Sequence, residues 1–464
     1  MALITSISGI RGTIGGRPKE ALTPIDVVKF TAAYAKWCQV QHKKQHCTVV
    51  VGRDARISGS MIEGLVVNTL LSMGINVLNL GLSTTPTVEM AVIIEKAEGG
   101  IILTASHNPK EWNALKLLNE RGEFISAQEG EKVLQFAQQD TFSFADIDHI
   151  GTLKTLPNYI EKHIQRILTL PLVKDEQIKK RNFVIVVDGI NSTGGIAVPA
   201  LLKALGVSHV IELNCQPTGD FAHNPEPLPE HLSEISKAVV QHKADLGIVV
   251  DPDVDRLAFV CEDGSMFGEE YTLVAVADYV LSKKVGNTVS NLSSSRALRD
   301  ITILRGGNYS AAPVGEVNVV AEMKRTHAVI GGEGNGGIIY PDLHYGRDAL
   351  VGIALFLSYI AEKKQPLTAI KAAFPQYYMY KGKLSLSEKI DFKVILDTLQ
   401  KVYRDAEFNT IDGIKIDFTD SWIHLRRSNT EPIVRIYTEA KNPQKAQKLA
   451  QEVIEILQKP NLSS

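Results

Sequence analysis

The sequence has almost no net charge and little cysteine. Its formal charge is -2 at pH 7 over 464 residues, which excludes a field strong enough to recruit nucleic acid or an anionic membrane by charge alone. The four cysteines are dispersed and form no CxxC pair, so they indicate neither a disulfide framework nor a zinc site. They are Cys38, Cys47, Cys215 and Cys261.

Two kinds of apolar segment are also missing. The first residues, MALITSISGIRG, lack a basic stretch followed by an apolar one, so no secretion signal is expected. The longest apolar stretch, residues 349–361, is shorter than the roughly 20 residues that span a bilayer and predicts a buried helix. We therefore expect a soluble cytoplasmic protein, a monomer or homodimer without nucleic-acid or membrane partners.

The length indicates several domains, because single hydrophobic cores stop growing at roughly 250 to 300 residues. With 44% hydrophobic and 22% charged residues, every domain can bury a core. Changes in the pattern along the chain predict four domains. Their expected limits are residues 1–152, 153–257, 258–374 and 375–464.

Strand and helix patterns alternate in three successive regions. The first runs from TVVVG near 50 to GIILT, and the second from FVIVVD at 183 to LGIVV at 246. The third, less clear, runs from VSNL near 290 through ITIL near 302 and a helix after Gly315 to AVIGG. This order predicts α/β domains whose helix-covered parallel sheets place ligands beyond the carboxyl ends of the strands. After Pro375, KLSLSE, IDGIKIDF, SWIHLRR and IVRIYTEA predict a smaller α+β domain with an antiparallel sheet.

The strand that closes the first region runs into TASHNP, which turns sharply and would hold the hydroxyl of Ser106 outward. His107 follows directly, and Lys116 lies ten residues beyond the serine. A lysine that returns to the same place could neutralise phosphoryl oxygens or carry a proton. Each residue taken alone also fits an ordinary turn or surface position.

The second closing strand runs into IVVDPDVDR, with Asp251, Asp253 and Asp255 at alternate positions. Three carboxylates this close repel one another unless a cation lies between them, and oxygen ligands of this kind suit magnesium. Arg256 adds a cation suited to a phosphate oxygen, although a salt bridge within the loop is an alternative.

Two further loops suggest ligand binding. GGEGNGG at residues 331–337 lets the backbone approach a ligand while Glu333 and Asn335 offer hydrogen bonds to hydroxyls. In RRSNTEPIVR, guanidinium and hydroxyl donors could surround a phosphate; an edge-strand turn with solvated arginines is the alternative. The donors are Arg426, Ser428, Asn429, Thr430 and Arg435.

Together these segments resemble the α-D-phosphohexomutase family over essentially the whole chain. TASHNP at 104–109 and SNTEP at 428–432 are the most specific, and SGIRG at 8–12 and GRDAR at 52–56 resemble arginine-containing segments near the family's active site. The resemblance implies four domains around a central cleft, with the last one mobile. It also implies that Arg11 faces the reacting phosphate.

The resemblance further implies that phosphorylated Ser106 gives its phosphoryl group to a hexose phosphate and recovers another from the bisphosphate intermediate. Mg²⁺ held by Ser106, Asp251, Asp253 and Asp255 would offset negative charge, and Lys116 is the candidate for proton transfer. GEGNGG is most similar to archaeal-like phosphoglucosamine mutases, so glucosamine phosphate is the first expected substrate, before glucose and mannose phosphates. Gly337 replaces a histidine of several bacterial relatives, and PVGEVN at 313–318 lacks their histidine or lysine, so those roles do not carry over.

Two other classes compete with this interpretation. DPDVD after an apolar strand also resembles the loop of haloacid-dehalogenase phosphatases, in which Asp251 would carry the phosphoryl group and Ser106 would be structural. A catalytically silent phosphosugar-binding protein is the third reading. SHNP, GEGNGG and SNTEP argue against the phosphatase, because a hydrolase of that type needs none of them.

Overall fold

The structure is a computed structural model that describes residues 3–6, 9–139, 142–385, 392–427 and 433–458. It contains four β-sheets, three of them mixed and helix-covered and the last one antiparallel. This confirms the predicted fold class.

The first region forms a seven-stranded sheet of order β1-β2-β6-β5-β3-β4-β7. Its parallel centre is β5-β3-β4, and β6 and β2 add antiparallel strands at one side. Val49 and Val51 pack with α1 and α2, whereas Val50 packs with α3, so the two-residue period buries both faces. The elements are β1 (Leu3–Ser6), β2 (Gly9–Thr13), α1 (Pro24–His42), β3 (Thr48–Arg53), α2 (Gly59–Ser72), β4 (Asn76–Leu82), α3 (Thr85–Glu95), β5 (Gly99–Leu103), β6 (Trp112–Leu118), α4 (Ala127–Gln139), a 3-10 turn (Ile147–His149) and β7 (Leu153–Thr155).

The second region forms a four-stranded sheet of order β11-β10-β8-β9, parallel except for β11. Ile185 and Val187 face one hydrophobic cluster and Val186 faces another, which again covers both faces. The elements are α5 (Tyr159–Leu168), α6 (Asp175–Arg181), β8 (Val184–Asp188), α7 (Gly194–Ala204), β9 (His209–Leu213), a 3-10 turn (Pro229–His231), α8 (Ser233–Gln241), β10 (Leu246–Val250) and β11 (Leu257–Cys261).

The third region has the order β13-β12-β14-β15, with β15 antiparallel. The predicted buried helix at 349–361 is confirmed as α12, all of whose residues up to Ala361 are buried. The elements are α9 (Glu269–Lys283), β12 (Asn287–Asn291), α10 (Ala297–Leu304), β13 (Tyr309–Ala312), α11 (Glu316–Thr326), β14 (Ala328–Glu333), β15 (Gly337–Ile339), α12 (Ala349–Lys363) and α13 (Leu367–Ala372).

Two expectations need correction. ITIL near 302 takes the place of a middle strand in the sequence pattern, but it lies in α10 and the strand is β13. A four-residue apolar run fits either structure, and here Leu298 and Ile301 face the core one helical turn apart. The domain limit expected at residue 257 falls at the first residue of β11, which belongs to the second sheet. The limit expected at residue 152 falls just before β7, which belongs to the first sheet. Each of these two sheets therefore extends past its expected limit. The domain limits otherwise stay predictions.

The last region is a five-stranded antiparallel sheet of order β16-β20-β19-β18-β17. Leu425, Val434 and Ile436 point to one face and pack against α14 and α15. The elements are β16 (Tyr378–Ser385), α14 (Phe392–Val402), β17 (Glu407–Asn409), β18 (Ile414–Asp417), β19 (Ser421–Arg427), β20 (Ile433–Ala440) and α15 (Pro443–Leu457). Within the described residues, none of the helices combines the length and apolar character that crossing a membrane requires.

Candidate active site

A cleft of about 480 Å³ lies where the loops of the four sheets meet. Its lining includes Ser106 after β5, Arg256 after the acidic loop, Glu333 at the end of β14, and Arg426 on β19. The carboxyl ends of parallel strands are where open α/β sheets bind ligands. Three loops that follow closing strands and one strand of the last sheet thus line one cavity. The other predicted site residues on the lining are Arg11, His107 and Lys116.

Ser106 is held in an unusual backbone conformation. Its φ is +50°, in the left-handed region, which non-glycine residues enter only where their surroundings enforce it. Its N–H donates to Thr104 Oγ1 at 2.9 Å, and its hydroxyl donates to Asp251 Oδ2 at 2.8 Å. The turn therefore aims the serine oxygen at the acidic loop.

Arg56, which sequence reasoning placed only near the site, organises this turn. The guanidinium is 1% exposed, and its Nε donates to Asp54 Oδ2 at 3.0 Å. Arginine has five N–H donors in a rigid fork, and here the remaining ones reach four backbone carbonyls around the serine. The acceptors are the carbonyl oxygens of Ser106, Asn108, Pro109 and Trp112.

The three aspartates form a buried cluster whose ligand oxygens lie within 4.8 Å of one another. Asp251 Oδ1 accepts the backbone N–H groups of Asp255 and Arg256, each at 3.1 Å. Val254, at φ +63°, turns the chain so that all three carboxylates point inward. Burial, and then the charges of Asp255 and Asp253, raise the pKa of Asp251 well above its ordinary value.

This cluster fits a divalent cation. Asp253 Oδ1 and Asp255 Oδ1 are buried and have no hydrogen-bond partner, although buried carboxylate oxygens normally have one. Hard oxygen ligands with unsatisfied lone pairs suit Mg²⁺. The acidic loop is therefore a metal-binding triad, and Ser106 lies at its edge.

Two cations compensate the other oxygens of the triad. Lys116 Nζ lies 2.7 Å from Asp253 Oδ2 and 3.4 Å from Asp255 Oδ2. Arg347, which sequence reasoning missed, reaches Asp255 Oδ2 at 2.7 Å, Glu316 at 2.9 Å and Glu333 at 2.7 Å. Burial by itself lowers the pKa of Lys116, but the two aspartates outweigh it and raise the pKa above the usual value. Lys116 is therefore an ammonium at neutral pH.

Other polar groups surround Ser106. His107 Nδ1 lies 3.4 Å from Ser106 Oγ, and burial and then Arg256 lower the pKa of this imidazole well below its ordinary value. Arg11 Nη1 reaches Asn108 Oδ1 at 3.4 Å. Arg256 Nη1 pairs with Glu226 at 3.1 Å, outside its own loop, while its Nε has no partner. The cleft near Ser106 is thus rich in N–H donors.

The glycine-rich loop differs from its simplest reading. Glu333 faces the cleft, but its carboxylate already accepts from Arg347, from Asn291 Nδ2 at 2.8 Å and from the Gly315 N–H at 3.1 Å. Asn335 Oδ1 accepts the N–H of Gly337 at 3.2 Å and does not line the cleft. A Cβ on Gly337 would lie 2.3 Å from Arg347 Cδ. Glycine stands at this position because the arginine fills the space.

The last sheet contributes one cation, Arg426, to the lining of the cleft, and it carries two more in the same row. Arg426 on β19 is directly opposite Arg435 on β20, which is opposite Lys383 on β16. Side chains in such a row share one face of the sheet. Arg426 Nε pairs with Asp412 at 2.9 Å, and the latter also accepts the Val314 N–H at 2.8 Å. The predicted donors Ser428, Asn429 and Thr430 lie outside the described residues.

Arg347, Glu316 and Lys383 were not predicted from the sequence. Burial raises the pKa of Glu316 to about 7 although Arg347 lowers it. The available signal for Arg347 was its place two residues before an apolar helix, where an arginine needs a buried partner. Lys383 carried no signal, because only strand register places it beside Arg435.

Comparison with known proteins adds independent observations. The four domain profiles of the phosphoglucomutase/phosphomannomutase family match residues 3–144, 158–264, 268–378 and 383–456, as α/β/α domains I, II and III and the C-terminal domain. A phosphoglucomutase/phosphomannomutase of Thermococcus kodakarensis is 34% identical over 96% of this chain and 98% of its own. A phosphoglucosamine/phosphogalactosamine mutase of Sulfurisphaera tokodaii is 30% identical over 99% of this chain and 100% of its own.

A solved structure supports the same relationship. The crystal structure of a phosphoglucomutase/phosphomannomutase family protein from Burkholderia thailandensis superposes with a TM-score of 0.83. It is 26% identical in sequence and covers 98% of this chain and 96% of its own.

Proposed function

Because the chain belongs to the phosphoglucomutase/phosphomannomutase family and is therefore a phosphohexomutase, we propose that it works through phosphorylated Ser106, with glucosamine 6-phosphate and 1-phosphate as its preferred pair. The observation that carries the proposal is the 2.8 Å contact between Ser106 Oγ and Asp251 at the edge of the acidic triad. It supports the proposal because a cation bound at this position, together with the surrounding N–H donors, would offset the charge of a phosphoryl group on Ser106.

The proposed reaction has two halves. In the first, O1 of the hexose 6-phosphate loses its proton and attacks the phosphorus of phosphorylated Ser106, the P–Oγ bond breaks, and Oγ takes up a proton. In the second, Ser106 Oγ loses that proton and attacks the phosphorus on O6 of the 1,6-bisphosphate, the P–O6 bond breaks, and O6 gains a proton. The enzyme regains its phosphoserine, and hexose 1-phosphate leaves.

The cation in this proposal is Mg²⁺, held by Asp251, Asp253, Asp255 and a Ser106 oxygen. When bound, it supplies positive charge that offsets the repulsion between the phosphoryl group and the attacking oxygen. Asp253 Oδ1 and Asp255 Oδ1 are the free oxygens available to it. Lys116 and Arg347 hold the opposite oxygens and keep the carboxylates pointing inward.

Proton transfer falls to side chains near Ser106. Lys116, paired with two aspartates, keeps its proton at neutral pH, which favours charge stabilisation over proton acceptance. His107 Nδ1 lies 3.4 Å from Ser106 Oγ, and its lowered pKa keeps the imidazole neutral, so that one ring nitrogen can accept a proton. We assign the acceptor role to His107 and retain Lys116 as the donor.

The distal phosphate binds in this proposal to the cation row of the last sheet. Both phosphates of the bisphosphate must occupy that position in turn, and guanidinium groups accept a dianion in either orientation of the sugar. Arg426 and Arg435 supply two forks directly opposite each other. Glucosamine is the first substrate because several archaeal relatives are named as phosphoglucosamine mutases.

The role of Ser106 as the residue that carries the phosphoryl group is tested by peptide mass spectrometry and by the variant Ser106→Ala. We expect phosphate on Ser106 in the purified protein, and a loss of mutase turnover on the order of a thousandfold or more in the alanine variant. Ser282→Ala, at an exposed serine outside the cleft, is the matched control and keeps full turnover. Phosphate on Asp251, or full turnover by Ser106→Ala, would refute the assignment.

The substrate is tested by comparing kcat/KM for the 1-phosphates of glucosamine, glucose and mannose. We expect the highest value for glucosamine 1-phosphate. A marked preference for glucose or mannose 1-phosphate would contradict the substrate proposal while leaving the phosphoserine mechanism intact.

A further inference from the structure

A second cluster of metal-ligand side chains lies away from the cleft. Among the described residues, only the acidic triad and this group bring three such side chains together. It consists of His163 on α5, His344 in the loop after β15, and Asp348 at the start of α12, all buried. The mechanism proposed above uses none of them.

The two histidines converge on a single oxygen. His163 Nε2 lies 3.0 Å and His344 Nε2 lies 3.3 Å from Asp348 Oδ2. Ligands at 2.0 to 2.2 Å from a tetrahedral zinc ion are roughly 3.3 Å apart. Asp348 Oδ1 caps α12 by accepting the N–H of Leu350 at 2.8 Å. Asp348 Oδ1 is thus used by the helix cap, whereas Oδ2 contacts the two histidines.

The outer nitrogens of both rings face groups that can orient them. His163 Nδ1 lies 3.0 Å from Thr87 Oγ1, and His344 Nδ1 lies 3.4 Å from Glu89 Oε2. A histidine that binds a metal through Nε2 usually donates its Nδ1–H to an oxygen of this kind. Both rings therefore have the environment of metal ligands.

Glu89 supplies an independent indication. It is 0% exposed, and neither of its oxygens, nor His344 Nδ1 beside it, has a hydrogen-bond partner. Buried polar groups are rarely left unsatisfied, and here three such atoms lie together at the outer edge of the His344 ring. A divalent cation on the other side of that ring would polarise the Nδ1–H toward Glu89 Oε2.

We propose that His163, His344 and Asp348 form a structural zinc site, with Thr87 and Glu89 orienting the two imidazoles. The site joins α3, α5 and the start of α12, three elements that belong to different parts of the chain. Asp348 directly follows Arg347, whose guanidinium holds Asp255 of the triad at 2.7 Å. Zinc would therefore fix the backbone that positions Arg347.

The test measures zinc retention. Protein loaded with ZnCl₂ is exchanged into buffer with excess Mg²⁺, which competes with zinc for the triad, and zinc per chain is measured by inductively coupled plasma mass spectrometry. We expect the wild type to retain about one zinc per chain more than His163→Gln and His344→Gln. Asp253→Asn, which damages the triad, is the control and retains the zinc.

Two further measurements use the wild type, so they do not depend on the folding of a variant. Cobalt in place of zinc should give the visible absorption of a four-coordinate site, and a strong zinc chelator should lower the melting temperature by several degrees. Failure of the wild type to retain zinc, or equal retention by the histidine variants, would refute the site. Loss of zinc in Asp253→Asn alone would also refute it, because the metal would then belong to the triad.

Discussion

Arg347 is the residue on which the acidic side chains of the cleft converge. Its guanidinium contacts Asp255, Glu316 and Glu333, which come from the loop after β10, the start of α11 and the end of β14. Arginine can satisfy several carboxylates at once because its five donors point in fixed directions. Removing a buried charge partner costs several kcal/mol, since the other charge is left uncompensated. The three carboxylates therefore depend on Arg347 for charge compensation, and Arg347 in turn needs enough space to reach them.

Gly337 provides that space, so Gly337→Ala should displace Arg347. The added Cβ would lie 2.3 Å from Arg347 Cδ, and overpacking of this kind costs about 1 to 3 kcal/mol. We expect mutase turnover to fall by on the order of tenfold and the melting temperature to decrease. Steady-state kinetics and thermal unfolding measure the two effects.

Gly64→Ala is the matched control. Gly64 lies inside α2 and a Cβ there meets no atom within 4 Å, so turnover should be unchanged and stability equal or slightly higher. Unchanged turnover in Gly337→Ala would show that Arg347 can move without loss of function.

At the level of the element, the last sheet differs between its two faces. One face carries Leu425, Val434 and Ile436 against the helices, and the other carries the row Lys383, Arg435 and Arg426. Three cations side by side on adjacent strands repel one another. Asp412 offsets part of that repulsion at Arg426, and a phosphate bound beside the row would offset more of it.

Lys383 should accordingly contribute to substrate binding. We expect Lys383→Ala to raise KM for the hexose phosphate several-fold, with a smaller change in kcat, because a distal phosphate contact acts in ground and transition states alike. Lys448→Ala on α15, an exposed lysine on the helix side, is the control with unchanged KM. An unaltered KM in Lys383→Ala would exclude the lysine from the phosphate site.

At the level of the whole molecule, the last sheet is fastened to the third region by buried polar contacts. Arg296 donates to Asp417, to the Phe418 carbonyl and to the Ser421 carbonyl at 2.8 to 3.0 Å. His424 joins Ser293 Oγ at 2.9 Å to the Asp412 carbonyl at 2.7 Å. Burial of this imidazole lowers its pKa to about 4. Mobility of the last domain stays a prediction.

The lowered pKa of His424 predicts a pH dependence of stability. Below about pH 6.5 the unfolded chain binds the proton more strongly than the folded one. The part of the folding stability that depends on neutral His424 is therefore complete above that pH and is lost as the pH falls toward 4. The free energy of unfolding decreases by at most on the order of 3 kcal/mol. Denaturant unfolding from pH 7 to 4.5 should show a shallower decline in His424→Asn than in the wild type.

His209→Asn, at an exposed histidine on β9, should decline as steeply as the wild type. Equal slopes in His424→Asn and the wild type would mean that other groups cause the acid instability.

The sequence by itself determined the order of strands and helices in most of the chain, and it identified the loops that carry Ser106 and the three aspartates. Such features are local: apolar period, turn residues and closely spaced carboxylates can be read within a few positions. The strand predicted at ITIL was wrong because a run of four residues is too short to distinguish the period of a strand from that of a helix.

Only the tertiary structure decided which side chains meet. Arg347 lies 92 positions from Asp255, His163 lies 185 positions from Asp348, and Lys383 reaches Arg435 only through strand register. No local pattern records such contacts, because they result from the packing of distant elements and from burial that leaves a charge dependent on its partner. The same packing explains the glycine at position 337: the Arg347 side chain occupies the space that a Cβ would need.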